Sequence, residues 1–192
     1  MTISTAFDIP LAESNCVGCG QCAAVCPTGA ITVRNDTAKL WKDLDDENTL
    51  MTVQIAPAVR VALGRQFGLG DGENAMGLIV AALRRIGFDE VYDTSTGADL
   101  TVIEESKELL DRLQNGTPGP LFTSCCPAWI NFVQSRYPEF LPNVSTCRSP
   151  MQMLAAVGKE QYATVYRRVV HVAVMPCTAK KYEAARPEFT RE

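Results

Sequence analysis

The chain has 192 residues, of which 46% are hydrophobic and 21% charged, a composition that excludes an intrinsically disordered protein. Its 18 basic residues are outnumbered by 22 acidic ones and are scattered in pairs, so we expect no nucleic-acid partner. No apolar run is long enough to cross a bilayer and the N-terminus lacks a signal-peptide pattern, so we expect a cytoplasmic protein without a membrane span.

Eight cysteines in a chain without an export signal indicate metal or redox chemistry, because reducing compartments keep thiols free of disulfides. Four of them lie close together, between Cys16 and Cys26. The other four are spread through the rest of the chain, at Cys125, Cys126, Cys147 and Cys177.

The first region, residues 1–35, has too few large apolar residues for a core of its own. Its cysteine run has the spacing of a bacterial ferredoxin and predicts a 4Fe-4S cluster bound by Cys16, Cys19, Cys22 and Cys26. The alternative is a zinc knuckle or an unmetallated loop, but zinc sites favour two separated pairs of ligands. In two-cluster ferredoxins the fourth cysteine ligates the other cluster, and this chain has no second run. The ligand set therefore stays open between an upstream half, closure by Cys26 and a ligand from another chain.

A polar connector, residues 36–50, leads into a region where strand-like runs alternate with helical periodicity. Asp99 and Ser149 are candidate helix caps, Pro127 a candidate helix start and Gly116 a candidate stop. The pattern predicts strands over 51–56, 89–94, 120–125 and 169–175, the last of them buried, and helices over 73–87, 98–116, 127–138 and 149–166. Such alternation predicts an α/β fold with a largely parallel sheet.

In open parallel sheets, the functional crevice lies beyond the carboxyl ends of the strands. The predicted strands place three segments at that edge, residues 55–57, 123–127 and 175–181. We therefore expect these segments to emerge on the same side of the sheet.

Cys125 and Cys126 are adjacent in sequence at a predicted strand end. Successive side chains of a strand point in opposite directions, so the two thiols are poorly placed to bind one metal ion. The pair is open to four interpretations: a vicinal disulfide, zinc ligands, two buried structural thiols, or one cluster ligand beside one reactive thiol. Cys177, just past another predicted strand, favours a cluster ligated from several loops.

The segments "TSCCPAW" (123–129) and "MPCTAKKYE" (175–183) resemble the first two signature motifs of the iron-iron (FeFe) hydrogenase family. "APAVR" (56–60) is similar to the segment that precedes them in that family, and the ferredoxin run lies upstream in the same order. The resemblance implies a 4Fe-4S module over 1–35, a connector over 36–50 and the N-terminal part of the hydrogenase catalytic domain, with its parallel sheet, over 51–192.

The family's cofactor is the H-cluster, a 4Fe-4S cubane joined to a two-iron subsite with carbon monoxide, cyanide and a bridging dithiolate amine. The resemblance implies that Cys126 and Cys177 ligate the cubane, while Cys125 offers a free thiol to the bridging amine. Lys180 would meet a cyanide ligand. The remaining pocket residues would be Ala56, Pro57, Ser149 and Met175. Cys147 has no ligand role in the family, and we interpret it as a buried thiol.

Four residues match the family's proton route to Cys125: Glu105, Glu108, Arg112 and Ser145. The first three share one face of the predicted helix, being three and four residues apart. Taken alone they would be interpreted as a solvated charged face, and the proton route is implied by the resemblance.

The family's third signature motif supplies two further cysteine ligands, whereas no cysteine follows Cys177 in this sequence. We therefore expect a segment or subunit of a ferredoxin hydrogenase, inactive alone, whose H-cluster forms only if the missing ligands are supplied. Expected partners are ferredoxin or another redox carrier, protons and H2, a C-terminal hydrogenase portion and the maturation proteins. The alternatives are a hydrogenase-like iron-sulfur assembly protein, which needs no proton route, and an electron-transfer or sensory subunit.

Overall fold

The computed structural model describes residues 5–166 and 168–189. Its strands are β1 (Thr49–Ile55), β2 (Glu90–Asp93) and β3 (Arg168–Val174). Its α-helices are α1 (Gln21–Ala24), α2 (Thr37–Leu44), α3 (Pro57–Ala62), α4 (Met76–Ile86), α5 (Thr94–Gln114), α6 (Pro127–Arg136), α7 (Pro150–Tyr162) and α8 (Ala179–Ala184). Short 3-10 helices lie at Ala6–Asp8, Leu11–Glu13, Gly64–Phe67, Pro138–Asn143 and Pro187–Phe189.

The chain divides into two compact units. We call residues 35–103 and 148–176 the sheet unit. We call the residues up to 34, residues 104–147 and the residues from 177 onward the cysteine unit. None of the helices in the described part of the chain is both long enough and apolar enough to cross a membrane.

The sheet unit contains a three-stranded sheet in the order β2-β1-β3, and both pairings are parallel. Ile55, the last residue of β1, lies opposite Asp93 of β2 and Val174 of β3. The strands therefore end at one edge, from which Ala56 and Met175 continue. This arrangement confirms the predicted α/β fold with a parallel sheet.

Helices cover both faces of β1, and every residue of this strand is buried. On one face Ile55 packs with residues of α3 and α4 such as Val59 and Ile79, while Met51 and Val53 pack with Phe88. On the other face, Gln54 contacts α7 through the backbone carbonyl of Met151.

The second face of β1 is polar. Thr52 and Gln54 are each 0% exposed, and a buried polar group needs a partner to offset the loss of its hydration. His171 of β3 supplies one to both, since its Nδ1 lies 2.7 Å from Thr52 Oγ1 and its Nε2 lies 2.8 Å from Gln54 Nε2. Burial, and to a lesser extent the charge of Lys159, lowers the pKa of His171 to about 4.

The cysteine unit has an aromatic cluster between α6 and the segments that flank it. Neighbouring ring centroids are 5.5 to 6.2 Å apart, within the range for favourable aromatic pairs. Val133 of α6 is fully buried. The rings belong to Phe122, Trp129, Phe132, Tyr137 and Phe140.

The predicted strand over 120–125 is wrong. Phe122 forms a single parallel bridge to Val144, in which its N–H donates to the Asn143 carbonyl at 2.7 Å. Pro118 and Pro120 have no N–H to donate, so a ladder cannot extend upstream. Consequently the segment 123–127 belongs to the cysteine unit and follows a bridge rather than a strand of the sheet.

The start of the helix predicted over 98–116 is also wrong, because α5 begins at Thr94. Asp99 lies inside this helix, and the residue that supports its start is Asp93, whose Oδ1 accepts from the Ser95 N–H at 2.9 Å. Gly116 follows the helix end with a φ of 62°, as expected for a stop.

Helix α2 lies in the segment predicted as a polar connector. Leu40 and Leu44, four residues apart, pack against the buried cluster of Met51, Val53 and Phe88, which gives this polar sequence a reason to be helical. Strand β3 is half-buried rather than buried. The predicted helices at α4, α6 and α7 are confirmed within a few residues, with Pro127 opening α6 and Ser149 capping α7 by accepting from the Gln152 N–H.

The half-buried His171 predicts a dependence of stability on pH. Its pKa of about 4 in the folded protein lies below the value of about 6.5 expected in an unfolded chain. The unfolded chain therefore binds more protons between these values, and the free energy of unfolding falls by about 3 kcal/mol as the pH is lowered from 6.5 to 4. Urea denaturation across this range should show the fall, and His171→Leu should lose this component while keeping that of the carboxylates.

Candidate cluster and proton-transfer site

The cysteine run forms an open loop around the short helix α1. No residue of the fully described stretch 13–34 is buried, in agreement with the expectation that packing alone does not hold this region. Gly18 and Gly20 have φ values of 70° and 77°, in the left-handed region that favours glycine. The Gly18 N–H points to Cys16 Sγ at 3.4 Å.

Backbone groups also stabilise a thiolate at the end of the run. The N–H of Ile31, followed by the hydroxyl and N–H of Thr28, lowers the pKa of Cys26 from 9.0 to about 7. Hydrogen bonds from backbone N–H groups to sulfur tune iron–sulfur clusters in the same way, and a ligating thiol must lose its proton. The donor set of the run therefore fits a cluster.

The described residues contain no group of three or more Cys, His, Asp or Glu side chains placed to hold one metal ion. In a 4Fe-4S cluster the four thiolates bind four different irons. The four thiols of such a site therefore need not converge on one point. The features of the run that fit a cluster are the spacing of its cysteines and the N–H groups near its sulfurs.

The run is attached to the segment that follows Cys177. Thr178 Oγ1 donates to the Gly18 carbonyl at 2.7 Å. A Cβ added to Gly20 would lie 2.7 Å from the same hydroxyl oxygen, and one added to Gly18 would touch Ala179 at 3.6 Å. Thr178 was missed by the sequence reasoning, since nothing in the run signals a partner 158 to 160 positions away.

Cys125 and Cys126 lie just before α6, and both are exposed. Cys126 has an extended backbone, with φ −100° and ψ 111°. In an extended backbone successive side chains point in opposite directions, which agrees with the expectation that the two thiols diverge. The Cys125 carbonyl accepts from Lys180 Nζ at 3.0 Å, and the same ammonium pairs with Glu183 at 2.9 Å. The side chains of Lys180 and Glu183 are 15% and 5% exposed, so this ion pair holds a half-buried cation beside the cysteine pair.

Glu108 of α5 binds the segment 145–147. Ser145 Oγ donates to Glu108 Oε2 at 2.7 Å, and the Thr146 N–H lies 3.2 Å from the same oxygen. Ser145, which is 5% exposed, accepts from the Cys147 N–H at 3.1 Å. Because the Ser145 oxygen is the acceptor in this second bond, its hydroxyl proton is donated to the Glu108 carboxylate.

Cys147 Sγ lies 3.9 Å from Glu108 Oε2. Burial, together with the negative charges of Glu108 and its acidic neighbours, raises the pKa of this thiol. Cys147 is half-buried, close to the predicted buried thiol.

The other two residues of the predicted route are placed differently. One carboxylate oxygen of Glu105 is buried and has no hydrogen-bond partner among the described residues. Arg112 donates to the carbonyls of Pro142, Pro120 and Pro118 at 3.2 to 3.5 Å. The structure thus joins Glu108 to Ser145, and in the described part of the chain no hydrogen bond joins Glu105 or Arg112 to Glu108.

A surface cavity of about 420 Å³ opens at Glu108. Its walls carry both charge signs, and its open side gives solvent access to the Glu108 carboxylate. The lining residues that matter here are Glu104, Lys107, Asp111, Arg112 and Thr146.

Four predicted pocket residues lie in the sheet unit. Ala56 is buried at the end of β1, where its N–H donates to the Val174 carbonyl at 3.1 Å, and Pro57 opens α3. Met175 directly follows β3, and Ser149, 1% exposed, caps α7. The sheet edge brings Ala56 and Met175 together, as predicted for these two segments.

The class of protein follows from its similarity to solved structures. An apo FeFe-hydrogenase from Chlamydomonas reinhardtii has a TM-score of 0.75 and 42% sequence identity with this chain, over 83% of this chain and 42% of that one. Residues 9–32 match a 4Fe-4S binding domain. The protein therefore has the fold of FeFe-hydrogenases with an N-terminal iron–sulfur segment.

Residues 49–192 match the iron only hydrogenase large subunit, C-terminal domain, and the chain belongs to this family. It is 45% identical, over 98% of its length, to the NADP-reducing hydrogenase subunit HndD of Solidesulfovibrio fructosivorans and spans 34% of that protein. It is 42% identical, over 94% of its length, to the periplasmic Fe hydrogenase large subunit of Nitratidesulfovibrio vulgaris and spans 52% of it. The chain thus spans about a third to a half of these relatives, and the cytoplasmic location stays a prediction.

The chain is also 31% identical to the cytosolic iron-sulfur assembly component 3 of Mus musculus. That similarity covers 92% of this chain and 40% of the mouse protein. The predicted family is therefore confirmed, and the chain is also related to iron–sulfur assembly proteins.

The contact between the run and Thr178 predicts that Gly20→Ala lowers the cluster content. The methyl group would collide with Thr178 Oγ1 and displace the loop, at a cost of about 1–3 kcal/mol. We expect a several-fold lower iron and sulfide content per chain after anaerobic reconstitution.

Gly29→Ala is the matched control, since Gly29 also has a positive φ of 65° and a Cβ there would touch nothing within 4 Å. Adding Thr178→Ala to Gly20→Ala should restore part of the cluster content. Equal losses from the two glycine substitutions would show that backbone strain alone, and no contact with Thr178, limits cluster binding.

Proposed function

We propose that this chain is the cluster-bearing part of a ferredoxin-type FeFe hydrogenase, which reversibly reduces protons to H2. The observation that carries the proposal is the part-buried hydrogen bond from Ser145 to Glu108 at 2.7 Å. A cluster scaffold has no need of a proton route, whereas a hydrogenase does. When bound, the H-cluster supplies the centre where protons and electrons combine.

Cys126 and Cys177 are the proposed cubane ligands, and the remaining thiolates would come from further polypeptide. The family resemblance and the sequence match support this assignment. Lys180 is the proposed partner of an anionic cyanide ligand, because its side chain is half-buried and is held beside Cys125 by the ion pair with Glu183. Ala56, Pro57, Ser149 and Met175 are proposed to line the pocket and exclude water.

Protons are proposed to enter at Glu108, whose cavity is open to solvent. Ser145 donates to Glu108, and its hydroxyl is proposed to pass protons between Glu108 and the free thiol of Cys125. Glu105 and Arg112 are proposed to supply Glu108, with Arg112 acting by fixing the backbone at Pro120 and Pro142.

Electrons are proposed to enter through the 4Fe-4S cluster of Cys16, Cys19, Cys22 and Cys26. The hydrogen bond from Thr178 to Gly18 links this run to the residue directly after Cys177. Such a contact supports a short electron path between the two cluster sites. The proposed electron donor is ferredoxin or another redox carrier.

The proton route is tested by Glu108→Gln in the matured hydrogenase that contains this chain. The amide keeps the shape of the side chain and cannot relay a proton, so we expect the rate of H2 evolution to fall by about 10²-fold or more. Asp99→Asn is the control, because Asp99 is exposed on the same helix and is not a lining residue of the cavity at Glu108.

Asp99→Asn should leave the rate within about twofold of the unsubstituted protein. A Glu108→Gln protein with unchanged infrared bands and an unchanged rate would contradict the route. Both variants are compared at equal cluster content, so that a loss of cofactor is not counted as a loss of proton transfer.

An iron–sulfur assembly function is the second candidate, favoured by the similarity to the mouse assembly component. In that case the chain would bind clusters and evolve no H2. Transfer of a cluster to an apo-acceptor without any H2 evolution or uptake, in protein matured alongside an active FeFe hydrogenase, would favour it.

A further inference from the structure

The N-terminal end of α7 is held by one side chain of the central strand. Gln54 is fully buried on β1, and its Nε2 donates to the Met151 carbonyl at 2.9 Å. Its Oε1 accepts from Thr94 Oγ1 at 3.0 Å. Gln54 therefore joins β1, the start of α5 and the first turn of α7.

The orientation of the Gln54 amide is determined by its partners. A flipped amide would point Oε1 at the Met151 carbonyl oxygen, and two buried acceptors would then face each other. The NH2 group must therefore be on the side of Met151 and of His171.

This orientation in turn determines the state of His171. The Nε2 atom of the ring lies 2.8 Å from Gln54 Nε2, which can only donate, so the ring nitrogen must accept. The ring proton is then on Nδ1 and is donated to Thr52 Oγ1 at 2.7 Å. Thr52 in turn donates to the Val170 carbonyl at 3.4 Å. Every polar group of the network has a partner of the opposite kind.

The same end of α7 is also packed closely against α5. A Cβ added to Gly97 would lie 2.1 Å from the Pro150 carbonyl oxygen and 3.0 Å from Leu154 Cβ. Thr101 Oγ1, which donates to the Gly97 carbonyl at 3.0 Å, lies 3.5 Å from the Arg148 carbonyl. The segment from Arg148 to Met151 thus has little room to move.

We propose that Gln54 is a positioning residue of the hydrogenase site: with its amide oriented by Met151 and Thr94, it holds Met151, and hence Ser149, at the sheet edge that carries Ala56 and Met175. The inference rests on the proposed function for the role of Ser149, Ala56 and Met175 as pocket residues. Its structural part, the orientation of the network and its grip on α7, is independent of that function.

The first test is the tautomer of the ring. His171 is the only histidine of the chain, so the long-range ¹H–¹⁵N spectrum of histidine-labelled protein at pH 7.5 has one ring system to assign. We expect a protonated Nδ1 and an unprotonated Nε2. A protonated Nε2 would overturn the proposed orientation of Gln54, and this test needs neither a variant nor a cluster.

The second test is amide hydrogen exchange in Gln54→Leu. Leucine has a similar size but leaves the Met151 carbonyl without its side-chain donor, so the first turn of α7 should open more often. We expect exchange at Met153 and Leu154 to quicken at least tenfold, while exchange at Gln161 and Tyr162 in the last turn changes by less than threefold.

Tyr92→Phe is the matched control. The Tyr92 hydroxyl lies 2.9 Å from that of Tyr162, so its removal deletes one hydrogen bond at the opposite end of α7. It should quicken exchange in the last turn and leave the first turn unchanged. Equal loosening of both turns by Gln54→Leu, or no loosening, would overturn the positioning role.

The third test applies to the matured protein. At equal iron content, Gln54→Leu should shift the CO and CN stretching bands of the two-iron subsite, and Tyr92→Phe should leave them in place. Unshifted bands in Gln54→Leu would overturn the link to the site. A complete lack of bands in the unsubstituted protein would count against the proposed function, leaving the tautomer and the exchange pattern to judge the network itself.

Discussion

The parallel pairing of β1 with both of its neighbours is the constraint on which the sheet unit depends. It fixes Ile55 opposite Val174, and so brings Ala56 and Met175 to one edge. It also buries both faces of β1, which forces Thr52 and Gln54 to find partners inside the protein. His171, Thr94 and Met151 are those partners, so the network that ties α7 to the strands follows from the position of β1 in the sheet.

The cysteine unit is organised by backbone contacts more than by a core around its clusters. Glycines with positive φ let the run turn, and N–H groups near the sulfurs favour thiolates. Short polar contacts then attach the functional segments to each other: Thr178 to Gly18, Lys180 to Cys125, and Ser145 to Glu108. Each contact joins two residues that are far apart along the chain. These contacts bring dispersed sequence motifs together within the cysteine unit.

The sequence predicted the family, the α/β class and most helices, because motif spacing and hydrophobic periodicity are local signals. The prediction failed where the structure depends on a contact with a residue far away along the chain. The run at Phe122 has strand-forming residues, but in the described part of the chain its backbone forms a single bridge, to Val144. The predicted helix starts at residue 98, yet α5 already includes Gly97, whose lack of a side chain allows its close approach to Pro150. No local sequence pattern marks Gln54 or Thr178. Their roles depend on hydrogen bonds to Met151 and Gly18, which are far away along the chain.

The central claim is that this chain contributes ligands to an H-cluster. Its most direct test is the infrared spectrum of the hydrogenase containing this chain, produced anaerobically with the maturation proteins and recorded beside the same protein with Cys177→Ser. We predict sharp CO and CN bands that disappear in Cys177→Ser, while the EPR signal of the reduced cluster in the Cys16 to Cys26 run remains. An EPR signal of a 4Fe-4S cluster without CO and CN bands in the unsubstituted protein would contradict the claim.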